Sequence, residues 1–351
     1  MAALPVRMSA LVSALLASAC ASGVDTAMLP PEGVAIVPAY AETAAVASNN
    51  DAADDPAIWV NQAAPDASLV FGTDKQSGLY IFDLSGAKKQ FLPAGKLNNV
   101  DIRQNIRIGG FAGDLAAASN RSDDTVTFFA IDPATGQTAE LARLPTEVVE
   151  PYGFCLGYYA GAAHAIVTYK DGLVQDWAVT SLAGGAVQAK LGKGWKFETQ
   201  LEGCSVDETN GYIFIGEEDR GVWKAALDGS TPPQLIDTTG SETGLTADVE
   251  GIGLWVKPDG EGYVVVSSQG SSTFNVYQLK SPNRFVGRFG VEFGEDIVTG
   301  TDGVDVVSVP MGANLPKGLF VTQDDINSHP DAPQNFKFVD WREIEKALET
   351  K

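Results

Sequence analysis

Histidine and cysteine are scarce in this chain: its 351 residues include only His164, His329, Cys20, Cys155 and Cys204 of those two types. Zinc centres are built from those side chains. None of them is spaced as a ligand set, which argues against zinc. Positive charge is also short, with 24 lysines and arginines against 45 acids and a net charge of −21. A phosphate backbone attracts the opposite sign, so nucleic acid is excluded as a natural partner. Past the N-terminal segment no apolar run is long enough to cross a bilayer as a helix. The 44% apolar content is ample for a buried core. Solubility alone would explain the acidity if the acids were scattered, but many of them recur at related places.

The N-terminus carries Arg7 and then the small, apolar stretch 8–19, which reads as an export signal. Cleavage after Ala-Ser-Ala at 17–19 would leave Cys20 first. Ala-Ser-Ala-Cys also resembles a bacterial lipoprotein box, with Ala17 weaker there than leucine, so lipidation at Cys20 and simple cleavage both stay open. The expected organisation is a signal over 1–20, a flexible leader over 21–33 and a single domain over 34–351. Such a protein would be periplasmic, secreted or an outer-membrane lipoprotein, touching a membrane only through a lipid, and a monomer. In an oxidising compartment Cys155 and Cys204 suit a disulfide. The alternative is a pair of buried thiols.

A repeat organises the rest. At intervals of about fifty residues a short apolar run begins beside acidic or amide residues, and strand-rich repeats of that length mark a β-propeller. These starts are Asp54-Asp55, Asn99-Asp101, Tyr152, Glu202, Asp248-Glu250 and Asp302-Asp305. A second group falls in the turns between later apolar runs: Lys75, Arg121, Lys170, Glu218, Gln269 and Asp324. Segments such as HAIVTYKDGLVQDWAV (164–179) and GYIFIGEEDRGVWKAAL (211–227) read as strand, polar turn and aromatic-rich strand.

The first unit predicts strands at 56–60, 68–73, 78–84 and 89–94. The last predicts three, at 304–309, 318–322 and 335–339, and then a helix over 341–348. The strand-like segment 34–41 could supply the missing fourth strand and close the ring. The fold class is therefore all-β: a six-bladed propeller of four-stranded antiparallel blades with a short C-terminal helix. In such a meander, the entrance to the innermost strand and the turn between strands two and three lie at one end. Both groups of residues should meet at one mouth of the central channel.

Closely packed carboxylates must protonate or find a cation. Oxygen-only clusters suit hard cations, and calcium takes six to eight such ligands. Lys75, Arg121 and Lys170 beside them suit phosphate groups. Covalent routes have no signature: neither histidine has an Arg-His-Gly context, a cysteine-based phosphatase loop is absent and no Gly-x-Ser-x-Gly elbow occurs. Attack by water with metal assistance remains, beside a purely structural calcium face. His164 reads as structural, and Trp59, Trp177, Trp223 and Trp255 as packing.

The residues also resemble a known family. DAADDPAIW (51–59), GKLNNVDIR (95–103), AAASNRS (116–122), Tyr152-Gly153-Phe154, Glu202-Gly203, GEED (216–219), DVEG (248–251), SSQGS (267–271), TDGVDV (301–306) and QNFK (334–337) occur in order. Together they resemble the β-propeller phytases, calcium-dependent alkaline 3-phytases of bacteria. The resemblance implies a six-bladed propeller that hydrolyses myo-inositol hexakisphosphate (phytate) as its calcium complex, by a calcium-bridging water, to lower inositol phosphates and inorganic phosphate. It implies several calcium ions shared by Asp54, Asp55, Asp101, Glu202, Glu218, Asp248, Glu250 and Asp302. Asp55, Glu202, Asp248 and Glu250 would be catalytic, and Lys75, Arg121, Tyr152 and Lys170 would grip phosphates.

The chain departs from the family pattern in two places. Gln76 stands where some members have a second lysine, which weakens the grip expected on a flanking phosphate. Ile326 stands where an acid is common, which weakens the case for a structural calcium between Asp296 and the 323–327 loop. Two rival readings are a calcium-dependent propeller hydrolase of lactones or phosphotriesters, and a non-catalytic calcium-stabilised envelope scaffold. Three bases in the turn group speak against the first rival.

Overall fold

The structure, a computed structural model, describes residues 29–329 and 331–349. The expected export segment and Cys20 lie outside the described residues. Six separate sheets follow one another around a channel. Blade 1 runs Ala53–Trp59, Leu69–Asp74, Gly78–Asp83 and Lys88–Leu92. Blade 2 runs Leu97–Ile108, Phe111–Asn120, Thr125–Ile131 and Thr138–Pro145. Blade 3 runs Phe154–Tyr159, Ala162–Thr168, Leu173–Ala183 and Ala186–Leu191, with Trp195–Lys196 added to its third strand. Blade 4 is Leu201–Asp207, Tyr212–Glu217, Gly221–Ala226 and Gln234–Thr238, and blade 5 is Val249–Val256, Gly262–Ser268, Thr273–Gln278 and Phe285–Phe293. Blade 6 has Val304–Val307, Leu319–Asp324 and Asn335–Asp340, followed by the helix Trp341–Glu349.

Burial explains the strand order. The second strands of the blades are buried on both faces, as in Leu69–Asp74 and Leu319–Asp324, which are buried at every position and apolar along their first half. The outermost strands are polar and partly exposed, as in Lys88–Leu92, which keeps an unpaired edge from recruiting another strand. Each pair of neighbouring blades encloses its own apolar layer. Trp59, Phe71, Ile81, Leu97 and Phe129 fill the layer between blades 1 and 2, and Val46, Phe82, Val321 and Phe336 that between blades 6 and 1. Trp59, Trp177 and Trp255 are buried in such layers. His164 is buried against Asp176, 2.8 Å from its carboxylate, and stacks on Tyr159.

Ring closure splits the segment expected as one strand. Ala41–Glu42 pairs antiparallel with Asn335–Asp340 and completes blade 6. Ala35–Pro38 instead lies parallel to Phe285–Phe293 and widens blade 5. The crossing lies between Ala39, whose N–H reaches Glu292, and Tyr40, whose N–H reaches Phe338. Pro38 has no N–H to extend a ladder, which fits a change of partner at that point.

Candidate active site

Ladder register identifies equivalent residues across the blades. The innermost and second strands of successive blades contain the pairs Pro56↔Gly72, Val100↔Ala118, Phe154↔Val167, Cys204↔Ile215, Ile252↔Val266 and Val304↔Thr322. Two residues before each first member stand Asp54, Asn98, Tyr152, Glu202, Glu250 and Asp302. Three residues after each second member stand Lys75, Arg121, Lys170, Glu218, Gln269 and Asp325. These two rings share one end of the channel, as the meander topology requires.

The rings differ from the sequence grouping in blades 2, 5 and 6. Asn98 holds the ring position in blade 2, while Asp101 lies deeper, lining the channel with Asp55 and Asp305. Asp325, not Asp324, faces the mouth. In blade 5 the ring residue is Glu250. Asp248 stands two residues earlier, half-buried, with its carbonyl accepting the Gln269 N–H at 3.0 Å.

Asp51, Lys75, Tyr152, Glu202, Glu250, Gln269, Asp302 and Asp325 line a cavity of about 290 Å³. The Lys75 ammonium sits 2.5 Å from Asp51, 2.9 Å from Asp54 and 2.8 Å from Asp302. Gln269 Nε2 donates to Glu250 and to Asp302, both at 2.7 Å. Asn98 Nδ2 donates to Glu202 Oε1 at 2.7 Å, and Gln200 Nε2 to Glu218 at 2.6 Å. Oxygens of Glu202, Glu218 and Glu250 lie within 4.8 Å of one another. Beside them, on the neighbouring blade 3, the Tyr152 ring has Lys170 Nζ 4.4 Å from its centroid and the Arg121 guanidinium 5.9 Å away. Arg121 Nε is buried without a hydrogen-bond partner.

The sequence profile described as Phytase matches residues 5–351. The chain belongs to the phytase family. It is 38% identical over 350 residues to the 3-phytase of Bacillus subtilis (strain 168), which covers 95% of this chain and 91% of that protein.

The electrostatics of this phytase-family mouth are those of unneutralised acids. Burial, with Asp54 and Asp302 nearby, pushes the Glu202 carboxyl well above its usual range. Burial and Glu202 do the same to Glu250. Asp302 rises to about 8 because burial and Asp54 outweigh the pull of Lys75, and burial lifts Glu218 to about 7. Burial also raises Asp55, Asp101 and Asp248. Burial and four acids, Glu202 first, hold the Tyr152 hydroxyl far above its normal value, so it stays protonated. Lys75 loses charge preference to burial, but Asp54 and Asp302 more than restore it.

A hard cation fits this donor set. The ligand atoms on offer are oxygens, three carboxylates converge, and Asp54 Oδ2 is buried with no hydrogen-bond donor.

Raised carboxyl values have a consequence for stability. Folded Asp302 and Glu218 hold protons that the unfolded chain releases near pH 4. Their contribution is therefore complete below about pH 4 and is lost as pH rises through about 7 to 8. With chelator present, the thermal midpoint should fall between about pH 5.5 and 8.5, and a divalent cation should reverse the loss at the alkaline end. A midpoint that is flat or rising over that window would contradict the assignment.

Proposed function

We propose that this chain is a calcium-dependent phosphomonoesterase of the 3-phytase type that releases inorganic phosphate from phytate. The observation that carries the proposal is the meeting of two sets of groups side by side at one mouth: the Glu202, Glu218 and Glu250 carboxylates of blades 4 and 5, and Tyr152 with Arg121 and Lys170 on the adjoining blades 2 and 3. A triad of acids alone would suit a structural cation. Cations and a protonated phenol on the adjoining wall suit phosphate oxygens.

In this reading Glu202, Glu218, Glu250, Asp54 and Asp302 hold calcium, with Asp248 at the rim and Asp55 and Asp101 deeper in the channel. Bound calcium would supply the positive charge that lets an acidic mouth accept a polyanion and would make water a better nucleophile. Arg121 and Lys170 orient the ester, and the Tyr152 hydroxyl donates to a phosphate oxygen. Glu202 and Glu250 line the cavity, and in their ionised form either can accept the proton of the attacking water. Lys75 sits among Asp51, Asp54 and Asp302, so it shares its charge between those acids and an entering phosphate. Gln76 donates to the backbone carbonyls of Asn49 and Asp51 and supports the rim.

The test is phosphate release from sodium phytate by the purified protein at neutral to mildly alkaline pH. Release that chelation abolishes and calcium restores is the expected result. No release, with calcium still raising the thermal midpoint, would reduce the mouth to a structural cation site.

A further inference from the structure

The inner strands of neighbouring blades belong to different sheets and share no ladder. The geometry of the mouth therefore depends on whatever fixes one blade against the next at the channel wall. At three joints a carboxylate does this. Asp55 of blade 1 accepts the N–H of Val100 in blade 2 at 2.9 Å. Asp101 of blade 2 accepts that of Leu156 in blade 3 at 2.9 Å, and Asp305 of blade 6 that of Ile58 in blade 1 at 2.8 Å.

Asp101 and Asp305 each follow directly on the ladder pairs Val100↔Ala118 and Val304↔Thr322. The residue that follows Phe154↔Val167 in blade 3 is Cys155. The joint between blades 3 and 4 thus has a cysteine where two other joints have their aspartate. Its sulfur is bonded to Cys204 of blade 4, with the two Cα atoms 5.6 Å apart.

This bond lies next to the proposed site. Tyr152 is three residues before Cys155, and Glu202 is two before Cys204. Between them the chains touch backbone to backbone. A Cβ on Gly153 would collide with the Glu202 carbonyl oxygen, and the Thr168 hydroxyl donates to that same oxygen at 2.7 Å. Glycine is required there for close approach.

We infer that the Cys155–Cys204 disulfide is a positioning device for the mouth. It sets Tyr152 of blade 3 against Glu202 of blade 4, and opening it loosens cation and phosphate binding while the propeller stays folded. The phosphate part of this inference rests on the proposed function; the cation part stands without it.

The test uses the full chain carrying Cys20→Ser, so that only the pair responds. Four forms are compared: oxidised protein, protein reduced by a phosphine, Cys155→Ala with Cys204→Ala, and Cys155→Asp with Cys204→Val. In the reduction the phosphine is oxidised to its oxide with oxygen from water, and the sulfur–sulfur bond becomes two thiols. The aspartate form is the rescue. Val206 stands two residues after Cys204 as Leu156 stands two after Phe154, so its N–H can take the new carboxylate as Leu156 takes Asp101.

Calcium affinity is read by calorimetry, and KM and kcat by phosphate release, all well below the thermal midpoint of each form. Opening the bond should weaken calcium binding about tenfold, the size expected for groups that orient ligands. KM should rise more than kcat falls, circular dichroism should not change, and the aspartate form should recover most of the loss. Calcium affinity and KM that do not respond to opening would overturn the inference, as would an aspartate form no better than the alanine form. If the alanine form does not fold, the reduced chain supplies the same comparison. Absence of phosphate release from the oxidised protein would count against the proposed function, and the calcium arm would still judge the disulfide.

Discussion

Glu202→Gln is expected to lower calcium affinity and kcat/KM by about a hundredfold each, while raising the thermal midpoint of the calcium-free protein. The two signs follow from one cause. Glu202 is 2% exposed, and its Oε1 accepts the Asn98 amide. Glutamine keeps the shape and that acceptor, so the change removes a charge and little else. In the absence of a cation burial, Asp54 and Asp302 oppose ionisation of Glu202, so at alkaline pH, where the unfolded chain holds this group ionised, glutamine removes that cost. In the presence of calcium the same charge is a ligand. Midpoints measured with chelator and with calcium should therefore converge in the variant, through a higher first value and a lower second one. A variant that is merely damaged would show both values lowered. Wild-type calcium affinity in the variant would remove Glu202 from the cation site.

The fold was legible because a propeller repeats one solvable problem. Each unit alternates apolar runs with polar turns, and the composition of the outermost strands marks where a blade ends, as in residues 88–92. The mouth was legible to within one or two residues and no better, and the ladders show why. The innermost strands of blades 1, 2, 4 and 5 have a register shift at the mouth: between Ala53 and Pro56, Leu97 and Val100, Leu201 and Cys204, and Val249 and Ile252. A bulge inserts a residue and re-aims its neighbours, so even spacing along the chain cannot say which of Asn98, Asn99 or Asp101 faces the cavity. Asn98, an amide among acids, had no charge signal to single it out. Its role shows only through the bond to Glu202.

Blade 6 illustrates the other limit. Asp324 and Asp325 are adjacent acids, and the choice between them depends on a register set by Val304↔Thr322. Asp325 faces the mouth, while Asp324 turns back into the blade toward a lysine. Similarly, residues 34–41 carry one continuous strand-like pattern, yet they serve two blades. Pattern reports that a segment is extended; it does not report which edge is vacant.

That lysine is the subject of the second large effect. Lys337→Met is expected to destabilise the fold by about 3–5 kcal/mol, the cost of leaving buried charges without their partner, and so to lower the thermal midpoint by about 4–7 °C. Lys337 is fully buried, with its ammonium 2.5 Å from Glu42, 2.8 Å from Asp296 and 3.2 Å from Asp324. Those acids belong to the closing strand Ala41–Glu42, to Asp296–Ile297 beside blade 5, and to Leu319–Asp324 of blade 6. One positive charge therefore ties the N-terminal segment to two blades. The sequence had weakened the case for calcium at Asp296, and here that carboxylate is held by Lys337 and by Ser328.

The pH dependence separates charge from packing. Burial already lifts Asp324 to about 7 although Lys337 pulls it down. Without the ammonium its carboxyl rises further, and the folded state gains stability by taking up a proton as pH falls. The loss should thus be larger near pH 8 than near pH 5.5, by about the same logic that makes buried carboxylates neutralise. Adding Asp324→Asn to Lys337→Met should recover part of the loss at the higher pH, because the asparagine retains an acceptor for the Thr299 N–H without the unpaired charge. A loss that is the same at both pH values, and untouched by the second change, would mean that Lys337 matters there through its aliphatic stem rather than its charge.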